Sequence, residues 1–231
     1  MPAITLTKVF ACDISQDSRD AILEAMGKTE PDNESISMVK LIELIGFEQA
    51  LHCCQLDQLN ARFCAWCAES VLSKDGKDAD MINLVRDLAA GKLSSEEISA
   101  ASKKAREAYI AAWDLYSKAA TSASDCAADV SVYCGISDSA IDSAIRDHDW
   151  SASISAAKKS VEAAQALAES TSIAANALAM AAAAQTIGAA IDGNVVMAAS
   201  AAARAVSRGS DWTVARDAQR SAFLDLLTRL E

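Results

Sequence analysis

Cys64 and Cys67 enclose Ala65 and Trp66 in a C-x-x-C, the spacing that redox centres and zinc knuckles use. His52, Cys53 and Cys54 lie a short way upstream and could complete a metal site if their two segments paired antiparallel. The chain has no second C-x-x-C, and structural zinc sites bring two regular ligand pairs. The C-x-x-C also falls inside a helical pattern, not at a helix N-terminus where the dipole would lower a thiol pKa. The pair therefore reads as two core cysteines on one helical face.

His148, in the run Arg146-Asp147-His148-Asp149-Trp150, has carboxylates beside it in sequence, as a general base would in space. Sequence neighbours are not aimed at one another, and no nucleophile is identified near it, so a loop histidine among solvated charges is expected. Gly188, Gly193 and Gly209 are isolated and form no phosphate loop. The acidic pairs Glu96–Glu97 and Asp147/Asp149 fit caps and turns. Tyr109, Trp113 and Tyr116 recur at helical spacing and read as a core stripe. Arg204, Arg208, Arg216 and Arg220 make a mild basic patch, interspersed with acid and suited to intramolecular pairs. No catalytic residues, cofactor or metal site are expected.

Charge and composition narrow the function classes further. The net charge of −11 disfavours nonspecific binding to nucleic acid or an anionic membrane. Residues 1–100 carry 17 acidic and 9 basic side chains, a net of −8, while residues 101–231 carry 15 and 12, a net of −3. Seven cysteines without a secretion signal point to a reducing cytoplasm. The most apolar stretch, Ile173–Ile191, is mostly alanine and is interrupted by Asn176 and Gln185, so a soluble protein is expected.

The elements that must position these residues are helices. Alanine, the best helix former, accounts for 50 of 231 residues, while there are only 8 glycines and 2 prolines. The expected fold is all-α: an alanine-rich multi-helix bundle of stacked helical hairpins, with a short N-terminal strand or arm over 2–10. Ser15 or Asp17 caps a helix ending at Gly27, and helices are expected over 35–45, 47–54, 57–72 and 78–90, with a turn at 74–77. Ser94 and Glu97 make a capping box opening a helix to about 133, which Gly135 ends; Ser137 then caps 138–147. Residues 151–191 place Ile173, Met180, Ile187 and Ile191 on one face and Leu167 and Leu178 on another, as a helix buried from two sides would. Helices over 195–207 and 212–230 follow, the last capped by Asp211. This divides the chain into an arm with a short helix (1–33) and a helical domain (34–231), comprising acidic helices (34–91) and an alanine-rich bundle (94–231).

One segment carries a resemblance. Arg62-Phe63-Cys64-Ala65-Trp66-Cys67-Ala68-Glu69-Ser70-Val71-Leu72 resembles the R-x-F-A-x-x-C-A-E-x-V-L helix of an all-helical family of immunity proteins from bacterial polymorphic toxin systems, also found in phages. The Gly91-Lys92-Leu93-Ser94 turn, the array from Ala105 to Trp113, and Trp212…Ala215-Arg216…Gln219-Arg220…Leu224 follow in the family's order. The resemblance implies a non-catalytic binder whose partner is a protein, either a toxin or a host defence component.

The function expected is inhibition by occlusion, with acidic side chains steering the encounter with a basic face. Glu24, Glu30, Asp32, Glu34, Glu43 and Glu48 are the candidate contacts in the acidic front half. One alternative is an acidic nucleic-acid mimic, which 21 basic residues and the lack of a long acid-only run disfavour. Another is a self-assembling structural protein whose alanine faces pack between copies as a homo-oligomer.

Overall fold

The computed structural model describes residues 2–72, 79–147, 150–207 and 211–229. It is an all-α multi-helix protein with one small two-stranded sheet near the N-terminus. The elements are β1 (Ala3–Thr5), α1 (Leu6–Phe10), α2 (Gln16–Met26), β2 (Ser35–Ser37), α3 (Met38–Ile45), α4 (Phe47–Cys53), α5 (Asp57–Val71) and α6 (Ala79–Ala89). Then follow α7 (Ser95–Asp147), α8 (Ser151–Ile191), α9 (Val195–Ser207) and α10 (Trp212–Thr228). Contacts divide the chain into two compact units, one of residues 1–107 with 182–231 and one of residues 108–181.

In the first unit, β1 pairs antiparallel with β2, Ile4 facing Ile36, and both side chains are buried. The helix expected over 35–45 therefore begins three residues late. Ser35–Ser37 instead extend to join the arm, and the Ser37 hydroxyl accepts from the Lys40 amide to start α3. The capping signals of other helices act as read. Ser15 accepts from the Ser18 amide, Asp211 from that of Thr213, and Ser94 and Glu97 close on each other's amides at 2.8 and 3.3 Å. Asp57 occupies the first turn of α5 and does not cap it; Leu56 is the cap residue.

The core of this unit forms around α5, whose buried Leu59, Phe63, Cys64, Cys67 and Ala68 meet α6, α9 and α10. Opposite α5, α9 buries Ala198, Ala199 and Ala202 completely. Side chains this small let two helix axes come close, which is where alanine matters most in this fold. Phe63 fills the remaining space, edge-on to Phe47 and Phe223 with centroids 5.9 and 5.1 Å away, and stacked on Trp66 at 6.0 Å. Between α8 and α9, Gly193 adopts φ 69°, while the Asn194 amide reaches back to Ala189 O at 2.8 Å. This left-handed residue closes the last carbonyls of α8 and lets the chain reverse.

Gln219 of α10 is 2 % exposed, donating to Ala199 O at 2.7 Å and accepting from Arg216 Nη1 at 2.9 Å. Gln219→Leu leaves two buried polar partners bare. An expected loss of about 1–3 kcal/mol in unfolding free energy, measured by chemical denaturation, follows.

The second unit is an antiparallel pair made from parts of α7 and α8. Ser122 hydrogen-bonds Ser170 at 3.1 Å, Cys134 bonds Ser160 at 3.1 Å, and Lys159 lies over the Tyr133 ring. The shielded residues of α7 recur alternately three and four apart, at 109, 112, 116, 119, 123, 126, 130, 133, 137 and 140. Those of α8 do the same at 153, 156, 160, 163, 167, 170, 174 and 177. That alternation is a coiled-coil seam, here built largely from alanine and serine.

Three expectations change here. Helix α7 runs through Gly135 to Asp147, because the seam continues on both sides of a glycine that costs a helix only about 1 kcal/mol. Burial all round α8 holds for 181–191 alone, whereas Ile173, Leu178 and Met180 are exposed. Of the aromatic stripe, Tyr109 and Tyr116 take half-buried seam positions, whereas Trp113, edge-to-face with both, is exposed. Helix α8 is long and apolar enough, by length and composition, to cross a membrane, but a core helix meets the same criterion, and 44 % of its most apolar window is buried.

Candidate protein-binding surface

All six candidate carboxylates are exposed on the first unit, but they fall into two groups. Asp32 and Glu34 both bind Lys28, Glu34 Oε2 at 2.7 Å from its Nζ. The side-chain hydrogen bond from Lys28 holds the Asp32 carboxyl below the ordinary range, and those same bonds raise Lys28. Asp32 also organises the turn before β2. Its carboxylate accepts from the Glu34 amide at 2.9 Å, and its carbonyl accepts from the Thr7 amide and hydroxyl at 2.9 and 2.8 Å. These two acids therefore stabilise the arm and carry partly neutralised charge.

Glu48, on α4, is bound by Arg216 of α10. Three further contacts hold that guanidinium: Nη2 reaches Ser200 Oγ at 3.3 Å, Nη1 reaches Gln219, and the Trp212 ring lies 4.9 Å away, while the buried Nε has no hydrogen-bond partner among the described residues. Arg216 thus makes the intramolecular pair expected of the basic patch, while Arg204 and Arg220 are exposed and Arg208 lies outside the described residues. Glu43 and Glu48 line one open cleft of about 460 Å³ together with Arg216, Asp217 and Arg220.

Glu24, Glu30 and Glu43 have no ion-pair partner among the described residues. They are the carboxylates left free to act at a distance. Only local signals were legible in this group: Lys28 and Asp32 sit at i, i+4, but nothing near Glu48 announces Arg216.

The family-like segment forms most of α5, with Phe63, Cys64, Cys67 and Ala68 in the core. Glu69 faces out and takes Arg86 of α6 in a two-pronged bond, at 2.7 and 3.1 Å. Arg62, Trp66, Glu69 and Arg86 line a second open cleft of about 390 Å³. Cys64 and Cys67 are 1 % and 0 % exposed, and burial pushes the Cys64 thiol up to about 12 and Cys67 higher still. His52 is exposed, away from these thiols' buried setting. Among the described residues no group of three His, Cys, Asp or Glu side chains could hold a metal ion. His148 and the 74–77 turn lie outside the described residues.

Fold and surface together define an all-helical protein with an acidic, cleft-bearing unit and a coiled-coil hairpin. No family model, curated protein or solved structure matches the chain.

Proposed function

We propose that this protein is a non-catalytic, protein-binding inhibitor of the immunity or phage anti-defence kind, which acts in the cytoplasm by covering the working face of a toxin or defence effector. The observation that carries this reading is the set of exposed carboxylates Glu24, Glu30 and Glu43, unpaired among the described residues, the last beside a mixed-charge cleft. Free acids at the surface raise the encounter rate with a basic face, and a concave rim of both signs selects among such faces. The resemblance of residues 62–72 to an immunity-protein helix supports the same reading. Nucleic-acid mimicry is disfavoured because Lys28 and Arg216 occupy three of the six carboxylates.

The test pairs the protein with the product of the gene next to its own. Co-expression should rescue growth, and stopped-flow mixing should give association that slows with salt. Reversing the three free acids together (E24K, E30K, E43K) should slow association tenfold or more with little change in thermal stability. Association indifferent to both salt and reversal rejects electrostatic steering, and displacement of the protein by DNA would favour the mimic.

A further inference from the structure

The hairpin of residues 108–181 has two flanks, and they differ in a way its own fold does not require. On each helix the residues that directly follow a seam position lie on one flank, and those that precede it lie on the other. Printed contacts agree: Cys134 crosses to Ser160 on the first flank, while Ser122 to Ser170 and Lys159 to Tyr133 mark the second. Among the described residues, Asp138 is the sole charged side chain on the first flank. The other charges, from Asp114 and Lys118 on α7 to Glu162 and Glu169 on α8, lie on the second flank or the outer faces.

The second flank also exposes Leu115, Val132, Ile136 and Ile173, but sets charges such as Lys118, Asp129 and Glu162 among them, whereas the exposed side chains of the first are nearly all apolar or small. Trp113 and Leu178 lie towards one end, and Ile141, Trp150, Ile154 and Val161 towards the other, Trp150 at 49 % exposure and Ile154 at 67 %. Between them run small residues, Ala120, Ala127, Ala157 and Ala164. A soluble two-helix arm needs only its seam to be apolar. A second apolar stripe on one flank is the pattern of helices with neighbours on two sides.

We propose that a second copy of this chain covers this flank, two hairpins joining as a four-helix bundle. Two observations select a copy as the occupant. Asp138 apart, the flank lacks charge along its length, so a copy meets it with little repulsion, whereas a charged partner would bury unmatched groups. Its size also matches. At about 1.5 Å rise per residue the flank is ~50 Å long and, two helices wide, covers roughly 700–900 Å² per copy, the amount one partner contributes to a stable dimer. Small residues at mid-flank allow the pairs to approach as closely as the alanine seam does.

The experiment is sedimentation velocity on the full chain from 1 to 100 μM, with iodoacetamide labelling of Cys134 as a second reading. The expected result is a shift with concentration from the 24.2 kDa chain to twice that mass, and at least tenfold protection of Cys134 in the dimer. The paired variant A127E/A164E, both positions exposed in the single chain, should weaken dimerisation at least 100-fold while retaining the helical circular dichroism. V132E, on the charged flank, should leave it unchanged. A mass of one chain up to 100 μM overturns the proposal. So does a dimer that survives A127E/A164E, fails in V132E, or leaves Cys134 fully reactive.

Discussion

Phe63→Ala should cost about 3–5 kcal/mol of unfolding free energy, the largest effect expected of any single truncation in this chain. Phe63 is fully buried and touches three other rings, Phe47, Phe223 and Trp66. Those rings sit on three elements, α4, α10 and α5 itself, so a cavity here cannot be closed by moving one helix. On α9, which packs against α5, the fully buried Ala198, Ala199 and Ala202 have no longer side chain to swing inward. Phe63→Leu, which fills part of the space, should recover more than half of the loss. Chemical denaturation of the three proteins makes the comparison. A loss below about 1 kcal/mol for the alanine variant would mean that the ring cluster is not the centre of this core.

The second large effect is alkaline destabilisation. Burial raises the Cys54 thiol from an ordinary value of 9.0 to about 11, Cys53 and Cys64 to about 12, and Cys67 beyond that. Above pH 9 the unfolded chain has released these protons while the folded chain still holds them. The unfolded state then binds fewer protons, so stability falls as pH rises from about 9 towards the folded values. At pH 10 each thiol contributes a loss of about 1.4 kcal/mol, or about 5–6 kcal/mol for the four. Denaturation profiles between pH 8 and 10 measure the slope. Cys64→Ala should remove roughly a quarter of it, whatever the variant does to stability at pH 7. A slope unchanged by that substitution would assign the alkaline loss to other groups.

Parts of this fold were legible because their causes are local. A serine oxygen three residues from an amide closes α2 and α7, and the reader needs no knowledge of the rest of the chain to see it. The strand Ser35–Ser37 was hidden because its pairing partner, Ala3–Thr5, is distant in sequence while its own residues fit the first turn of α3. Gly135 misled for the opposite reason, since a glycine breaks a helix only when nothing beyond it rewards continuation, and here a seam does. Alanine concealed the split character of α8. A residue that is apolar yet tolerates water leaves no mark to separate 151–180, shielded along one seam, from 181–191, buried nearly all round. Among the candidate contacts, exposure was legible for all six acids, but Glu48 owes its pairing to Arg216 on a helix far along the chain.

The first unit is assembled from two stretches of chain with the hairpin inserted between them. On a translating ribosome this imposes a delay. Phe63 and its helix emerge long before α9 and Phe223, and at roughly 5–20 residues per second the wait is on the order of 10–30 seconds. Throughout that interval α5 exposes the face that α9 and α10 will cover. The nascent chain is then a substrate for holding chaperones, and a ribosome that stalls inside α8 releases a fragment whose aromatic cluster lacks its closing ring.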